Sequence, residues 1–579
     1  MEKKNDTILE TEVVQPESTG PLDAREKYRD KIRRIMLGNY EYGFLCMPYI
    51  PFFFKAKRRL PPFFGINAPL PILLSIVLGF QHALAMVSGV VTPSIILGGG
   101  GFLNLDMEYR QYMISSALIV SAICTTVQIT SFTYRGVRIG TGLLSVVGTS
   151  FTSVPLAYSI FGNMYKTGFC PSMIDENGTT INLPCPQGLG AFIGTAMLCS
   201  LLPMGLSLLP PKALKRMFPP IVTGTTVFLI GLSLIASGFK DWAGGSGSCM
   251  DRPATGMYSV CPNLGAPNAK PWGDPAYLGL GLVVYVSIVL IEYFGSPFLK
   301  NIQMVAGLII GIIVAAATGY IDHSTIDSAP VATFLWVKRF PLSIYAPGII
   351  PLLIVYLVAV VEAVGDITAS CEASRAPVEG PEFEGRIKGG ILCDGVNSLL
   401  AGCCTSLPLS TFAQNNGIIA LTRCASRTAG YWCAFFMLLM GIFAKFSAVF
   451  LALPSATIGG LTTFLFSTVA VAGIRILAYL EWTRRERFIV SAAMALGLGV
   501  NLVPDWFSYV LTYEGSNQAL RGFLDSVEVI VSTGFCIAAI ITSFLNAVLP
   551  SETGVQEMFE NDIEDNSIDE PTKEPHIIV

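Results

Sequence analysis

Two acids four residues apart, Glu362 and Asp366, interrupt the apolar stretch LVAVVEAVGDITAS, and a third, Asp394, interrupts a later one. Four residues along an α-helix return to the same face, so Glu362 and Asp366 project together. An ionisable group inside an apolar helix is expensive and by default marks a binding site or a proton path. Two desolvated carboxylates on one face oppose each other's charge, and such a pair can take up a proton near neutral pH. The other reading of each acid is structural, a carboxylate tied to a neighbouring amide or cation. Gln81 and His82 form a second polar pair inside an apolar run, and His82 is one of only three histidines. It either orients the site or satisfies a hydrogen-bond network in the core. Lys445 reads as snorkelling or paired.

A third constellation, Ala413-Gln414-Asn415-Asn416-Gly417, places three amides and a glycine where lipid tolerates none, so the segment must line a cavity. A primary amide offers C=O and NH2 side by side, which complements adjacent N–H and C=O groups on the edge of a nucleobase. Phe151, in the segment LLSVVGTSFTSVPLAYS, either stacks on a flat ring or packs in the core. Stacking of this kind contributes about 1–3 kcal/mol.

The elements that carry these residues belong to a membrane protein. Of 579 residues, 52% are hydrophobic and 13% charged, with mean hydropathy +0.58; soluble domains carry about 25% charged residues. Metal-ligand spacing, nucleophile–base pairs and phosphate loops are all missing from the apolar runs, which argues against an enzyme and against any resident cofactor. With no ATP-binding motif, concentrating power must come from an ion gradient, the proton being the coupling ion. The net charge of −4 is uninformative, since the placement of Lys and Arg rather than their total sets orientation, and no nucleic-acid partner is expected.

A span needs about 17–25 apolar residues. Twelve such runs lie near 69–92, 111–130, 187–209, 219–237, 276–294, 301–320, 347–369, 388–404, 428–452, 456–479, 487–504 and 527–549. Two more, 143–159 and 411–422, are short, polar in the middle and next to Pro155 or Pro408, and count as broken half-spans. The expectation is an all-α polytopic fold of fourteen transmembrane segments, broken at spans 3 and 10. With a cytoplasmic N-terminus, the inside loops hold fourteen basic residues and the outside loops seven, which places both termini inside. One outside loop then holds Cys170 and Cys185 and the next Cys249 and Cys261, each pair either a disulfide or two free thiols. Asn177-Gly178-Thr179 is a glycosylation sequon in the first of these loops. Residues 1–66 form a cytoplasmic tail whose basic stretch 25–35 either lies on the inner leaflet or is a solvated helix, 67–550 the transporter, and 551–579 a disordered acidic tail.

Pro220-Ile221-Val222-Thr223-Gly224 opens the fifth span, and Pro454-Ser455-Ala456-Thr457-Ile458-Gly459 opens the twelfth, seven spans later. The broken segments are also seven apart. An odd separation inverts the halves, the arrangement in which paired half-helices hold a substrate at the midplane.

The run Gln414-Asn415-Asn416-Gly417-Ile418-Ile419-Ala420-Leu421-Thr422-Arg423 resembles the signature Q-N-x-G-x-x-x-x-T-R of the nucleobase–ascorbate transporter family. The contexts of Gln81-His82, Glu362, Asp366 and Asp394 resemble its fungal uric acid–xanthine permeases, over about Tyr42 to Pro550. The resemblance implies a seven-plus-seven inverted repeat with a core domain (about 67–210 and 345–452) that moves as an elevator against a gate domain (about 211–344 and 453–550). It also implies a homodimer in the plasma membrane and proton symport of uric acid and xanthine, ascorbate being disfavoured because ascorbate carriers begin the signature with Pro. Gln414 and Glu362 would bind the purine, Phe151 would stack, Ala413 would line the site, and Asp366, Asn415, His82, Asp394 and Gln81 would support it and the proton coupling. Gly417, Thr422 and Arg423 belong to the signature, and Phe535, Thr533 and Arg487 map onto a selectivity gate. The other readings are a purine sensor that does not transport, or a carrier of the same family for uracil, hypoxanthine or ascorbate.

Overall fold

The computed structural model describes residues 21–38, 40–48, 61–174, 180–210, 213, 219–412, 414–503, 506–507, 509–511, 513, 515 and 517–550. Ala413, Asn177 and the acidic tail 551–579 lie outside the described residues. Ten of the twelve expected apolar runs fall on single helices and two, 428–452 and 527–549, on sharply bent helix pairs, because a long run without water can satisfy its backbone only internally. In chain order the helices are α1 (Ile72–Gly98), α2 (Met107–Thr130), α3 (Ser153–Lys166), α4 (Pro186–Leu206), α5 (Pro220–Trp242), α6 (Pro275–Phe294), α7 (Gln303–Ala317) and α8 (Ile349–Ala373). They continue as α9 (Pro381–Cys403), α10 (Gln414–Thr422), α11 (Arg427–Ile442), α12 (Ala444–Leu451), α13 (Ser455–Leu477), α14 (Arg484–Leu502), α15 (Gln518–Val531) and α16 (Gly534–Val548). A further helix, Pro21–Met36, covers the basic stretch near the N-terminus.

By length and composition, seven helices among the described residues can cross a membrane, or nine if the bent pairs α11–α12 (73°) and α15–α16 (87°) each count once. The expected fourteen is larger for identifiable reasons. Helix α7 has only 15 residues, α9 and α14 open on charged residues such as Glu382 and Arg484, and α3 and α10 are only 14 and 9 residues long. The expectation of an all-α fold also needs amendment, because three two-stranded antiparallel ladders are present. Two are hairpins at 132–139 and 172–182. The third joins β1 (Val147–Thr149) to β2 (Leu409–Thr411), the entries to the two broken segments.

Helices α1, α2 and α11 pack together, with α9 on α2 and α4 and α8 on α9; α5, α6, α7, α13, α14 and α16 form a second set of mutual contacts. The tightest seam of the second set is α5 on α13. A Cβ added at Gly231 would lie 2.3 Å from the Ala470 nitrogen, one at Gly238 2.8 Å from Thr463 Oγ1, and one at Gly224 2.7 Å from Leu477 Cγ. The register runs antiparallel in steps of seven residues, and small residues let the backbones touch, the principal source of helix affinity in lipid. These two helices are the fifth and twelfth spans, whose Pro-Thr-Gly openings echo each other.

Both expected cysteine pairs are disulfides, Cys170–Cys185 and Cys249–Cys261, and the other ten cysteines are free. The first stabilises a loop that also receives an Asn104 hydrogen bond to the Asn182 carbonyl at 2.9 Å. Lys445 is paired, its ammonium donating to the Ile326 and Asp327 carbonyls at 2.6 and 3.1 Å.

Candidate functional site

The site begins with β1 and β2, which cross antiparallel with Val147 opposite Thr411, Gly148 opposite Ser410 and Thr149 opposite Leu409. The Phe412 N–H to Val146 and the Ser150 N–H to Pro408 extend the ladder, both at 2.9 Å. Each strand leads toward a helix, α3 or α10, so two helix N-termini start beside one crossing. Three surrounding helices clamp it through side chains. Thr149 donates to the Val90 carbonyl of α1 (3.1 Å), Ser398 of α9 donates to Leu409 (2.9 Å), and Thr125 of α2 accepts from Val147 N–H (3.0 Å). Buried strand backbone in a membrane segment requires such partners.

Aromatic rings fill the crossing. Phe412 lies over Gly89 and Gly148, where an added Cβ would come within 2.8 and 2.4 Å of its ring, so only glycine admits it. Phe151 stacks on Phe412 with centroids 5.9 Å apart and planes 16° apart, and meets Phe466 of α13 edge-on at 6.0 Å. Phe151 is therefore packed on one face by protein, and Phe412 is a site residue that sequence reasoning overlooked. An aromatic at the end of an amide cluster was its only signal.

The next residue, Thr152, donates its hydroxyl to Glu362 Oε2 at 3.0 Å, which joins the first broken segment to α8. The second broken segment joins α8 through Asn416, whose Oδ1 accepts from Ser370 at 2.7 Å and whose Nδ2 reaches the Asp366 carbonyl at 3.5 Å. Glu362 is half-buried, and Gln414, the first residue of α10, is exposed. Asn415 behaves differently. It is fully buried and donates to the Leu144 carbonyl at 2.6 Å, bracing α10 against the entry to the first broken segment. Asp394 of α9 accepts from Thr411 at 2.7 Å. A cavity there is lined by Asp394, Ser150, Ser153, Tyr356, Ser398 and Ser410 among others, and does not include Phe151, Glu362 or Gln414.

The remaining expected residues are dispersed. Gln81 and His82 are buried on α1, and both amide atoms of Gln81 and Nδ1 of His82 have no hydrogen-bond partner among the described residues. Thr422 bonds back to Ile418, and Arg423 ends α10 in a left-handed conformation (φ 57°), its carbonyl accepting from Phe64 N–H. Nothing within 4 Å of a Cβ at Gly417 explains that glycine. Thr533 shares a 3.0 Å hydroxyl contact with Ser159 of α3, and Phe535 is fully buried. Arg487 is exposed and among the described residues bonds within its own turn, to Thr483, whereas Arg485 crosses to α16 at Asn546 and Leu549. The neighbouring arginine is thus the one that ties α14 to α16.

Multiple apolar helices around a pair of broken segments, with polar groups drawn to their crossing, define a multi-pass membrane protein, and a match to the permease family makes it a transporter. The profile of the permease family matches residues 74–506, and the chain belongs to that family, which the signature on α10 identifies as the nucleobase–ascorbate transporters. It is 51% identical over 549 residues to a purine permease of Emericella nidulans, covering 93% of each chain. It is 48% identical over 544 residues to the uric acid-xanthine permease of the same organism, covering 93% of this chain and 92% of that one. The xanthine permease XanQ of Escherichia coli is 32% identical over 480 residues, 83% of this chain and 92% of the relative.

Proposed function

We propose that this chain is a proton-coupled symporter that imports oxidised purines, uric acid and xanthine, across the plasma membrane, with both termini cytoplasmic. The names and close identity of the relatives support the substrate class. The observation that supports this site is the set of side-chain links that tie both broken segments to α8, Thr152 to Glu362 on one side and Asn416 to Ser370 and the Asp366 carbonyl on the other. Gln414 and Glu362 hydrogen-bond the purine edge, Phe151 stacks on its ring, and Asp366 and Asp394 serve proton coupling. Asn415 supports the site as a brace. The fourteen spans count α3 and α10 as half-spans, and the chain works as a homodimer. The set containing α1–α4 and α8–α12 is the moving core, and α5–α7 with α13–α16 is the gate against which it travels. Phe535 and Thr533 line that seam.

The test is uptake of radiolabelled xanthine by cells lacking their own purine carriers, with external pH recorded. Saturable uptake accompanied by external alkalinisation is expected. Saturable binding with no accumulation would leave a sensor in its place.

A further inference from the structure

Thr411 has one hydroxyl proton and two short polar contacts. Its Oγ1 lies 2.7 Å from Asp394 Oδ1 and 2.9 Å from Gln128 Nε2 at the end of α2. The Gln128 amide N–H donates to the hydroxyl oxygen, so the hydroxyl's own proton is left to point at the carboxylate. Gln128 is fully buried and its Oε1 has no hydrogen-bond partner among the described residues. An unpartnered buried carbonyl is costly, and a residue that keeps it has a reason beyond packing.

We infer that Gln128 is a positioning residue for Asp394, setting through Thr411 the direction of the hydrogen bond that the acid receives. The inference rests on the proposed proton symport. When Asp394 is charged it needs a donor, and the amide NH2 of Gln128 enforces one. When Asp394 is protonated it can itself donate to Thr411, whose proton must then turn to an acceptor, and the free Oε1 of the same amide supplies it after a flip. A single amide therefore serves both protonation states. Glutamate, with the same shape, can only accept while ionised; methionine can do neither. The other titratable groups that interact with Asp394 are Glu362 and Asp366 from α8, Cys124 from α2 and Cys393 on its own helix. None of these touches Thr411 within hydrogen-bond distance, so the direction of that bond is left to Gln128 among the described residues.

The experiment compares net proton-driven xanthine uptake with counterflow exchange of xanthine, which needs no net proton movement, in Gln128→Glu, Gln128→Met and Thr411→Val, with Thr411→Ser as the conservative variant. Surface abundance and thermal unfolding are measured on each. The expected result is a loss of net uptake of about tenfold in the first three, the scale of one hydrogen bond to a charged group, with exchange reduced less than about twofold and Thr411→Ser restoring coupling. A parallel fall of uptake and exchange, or no fall in either, would show a packing role only and overturn the inference. If the unsubstituted protein accumulates xanthine without moving protons, the symport reading itself fails, and this assignment with it.

Discussion

Thr152→Val removes one hydroxyl and keeps the shape of the side chain. Thr152 is 2% exposed and its Oγ1 is 3.0 Å from Glu362 Oε2, so the lost atom is a dry donor to a carboxylate and water does not replace it. Hydrogen bonds to charged groups contribute about 1.5–3 kcal/mol, and each 1.4 kcal/mol is about a factor of ten. If Thr152 holds Glu362 in the rotamer that presents its second oxygen to the substrate, the KM for xanthine rises about 10- to 100-fold. Phe151, the neighbouring residue, keeps its ring contacts to Phe412 and Phe466, so the stacking surface is preserved. The assay is initial-rate uptake of labelled xanthine over a concentration series, normalised to surface-labelled protein. Thr152→Ser, which retains the donor, should stay within about threefold of the parent. A KM for Thr152→Val within twofold of the parent at normal abundance would refute the link between this hydrogen bond and the site.

Gln414→Ala and Glu362→Ala should each abolish high-affinity inhibition of labelled xanthine uptake by uric acid, and unchanged inhibition would move the site elsewhere. Gly231→Val drives a side chain into the Ala470 backbone, 2.3 Å from the new Cβ, and should cost about 1–3 kcal/mol or more, seen as a lower unfolding temperature in detergent. Cys249→Ser with Cys261→Ser opens a loop of 12 residues and should lower stability by about 2–4 kcal/mol; reductant should destabilise the parent further than this variant. Because Ser159 and Thr533 touch at 3.0 Å, joining them as Ser159→Cys with Thr533→Cys under oxidant should stop transport, and reductant should restore it. Either single variant should be indifferent to both reagents.

Long apolar runs translate into helices because lipid leaves the backbone one choice, and so α1, α2, α5, α6, α8 and α13 were legible within a few residues. The broken segments were legible for the opposite reason, since Gln414-Asn415-Asn416 and Pro155 are residues that an intact lipid-facing helix rejects. What filled the breaks was not. Three-residue strands such as Val147–Thr149 are too short to show a period of two, and they pair with a segment more than 250 residues away. The same distance hid Thr152 and Gln128, whose partners lie 210 and 283 residues off. An isolated threonine or glutamine carries no signal until its partner is known. Asn415 was expected to support the site, but its signature position did not show the bond to the Leu144 carbonyl through which it braces α10. The glycines of α5 and α13 showed as an echo between halves, but not as two surfaces meant for each other.

The two kinds of contact around Phe151 differ in a way that bears on movement. Toward α1, α2, α8 and α9 the crossing is held by strand hydrogen bonds, by hydroxyls of Thr125, Thr149 and Ser398, and by Phe412 seated over two glycines. These bonds are buried, directional and drawn from both halves of the sequence, so neither broken segment can shift without the other. Toward α13 and the α15–α16 bend the contacts include an edge-on ring, Phe466, one hydroxyl pair, Ser159 with Thr533, and a 3.5 Å ion pair between the exposed Lys166 and Glu528. An edge-on aromatic contact adds about 0.5–1.5 kcal/mol beyond area, and it has no register that must be recovered after it slides. The elevator motion proposed for this chain would need such an asymmetry, with the site bound by buried directional groups and the outer face resting on contacts that can be broken and remade within each cycle.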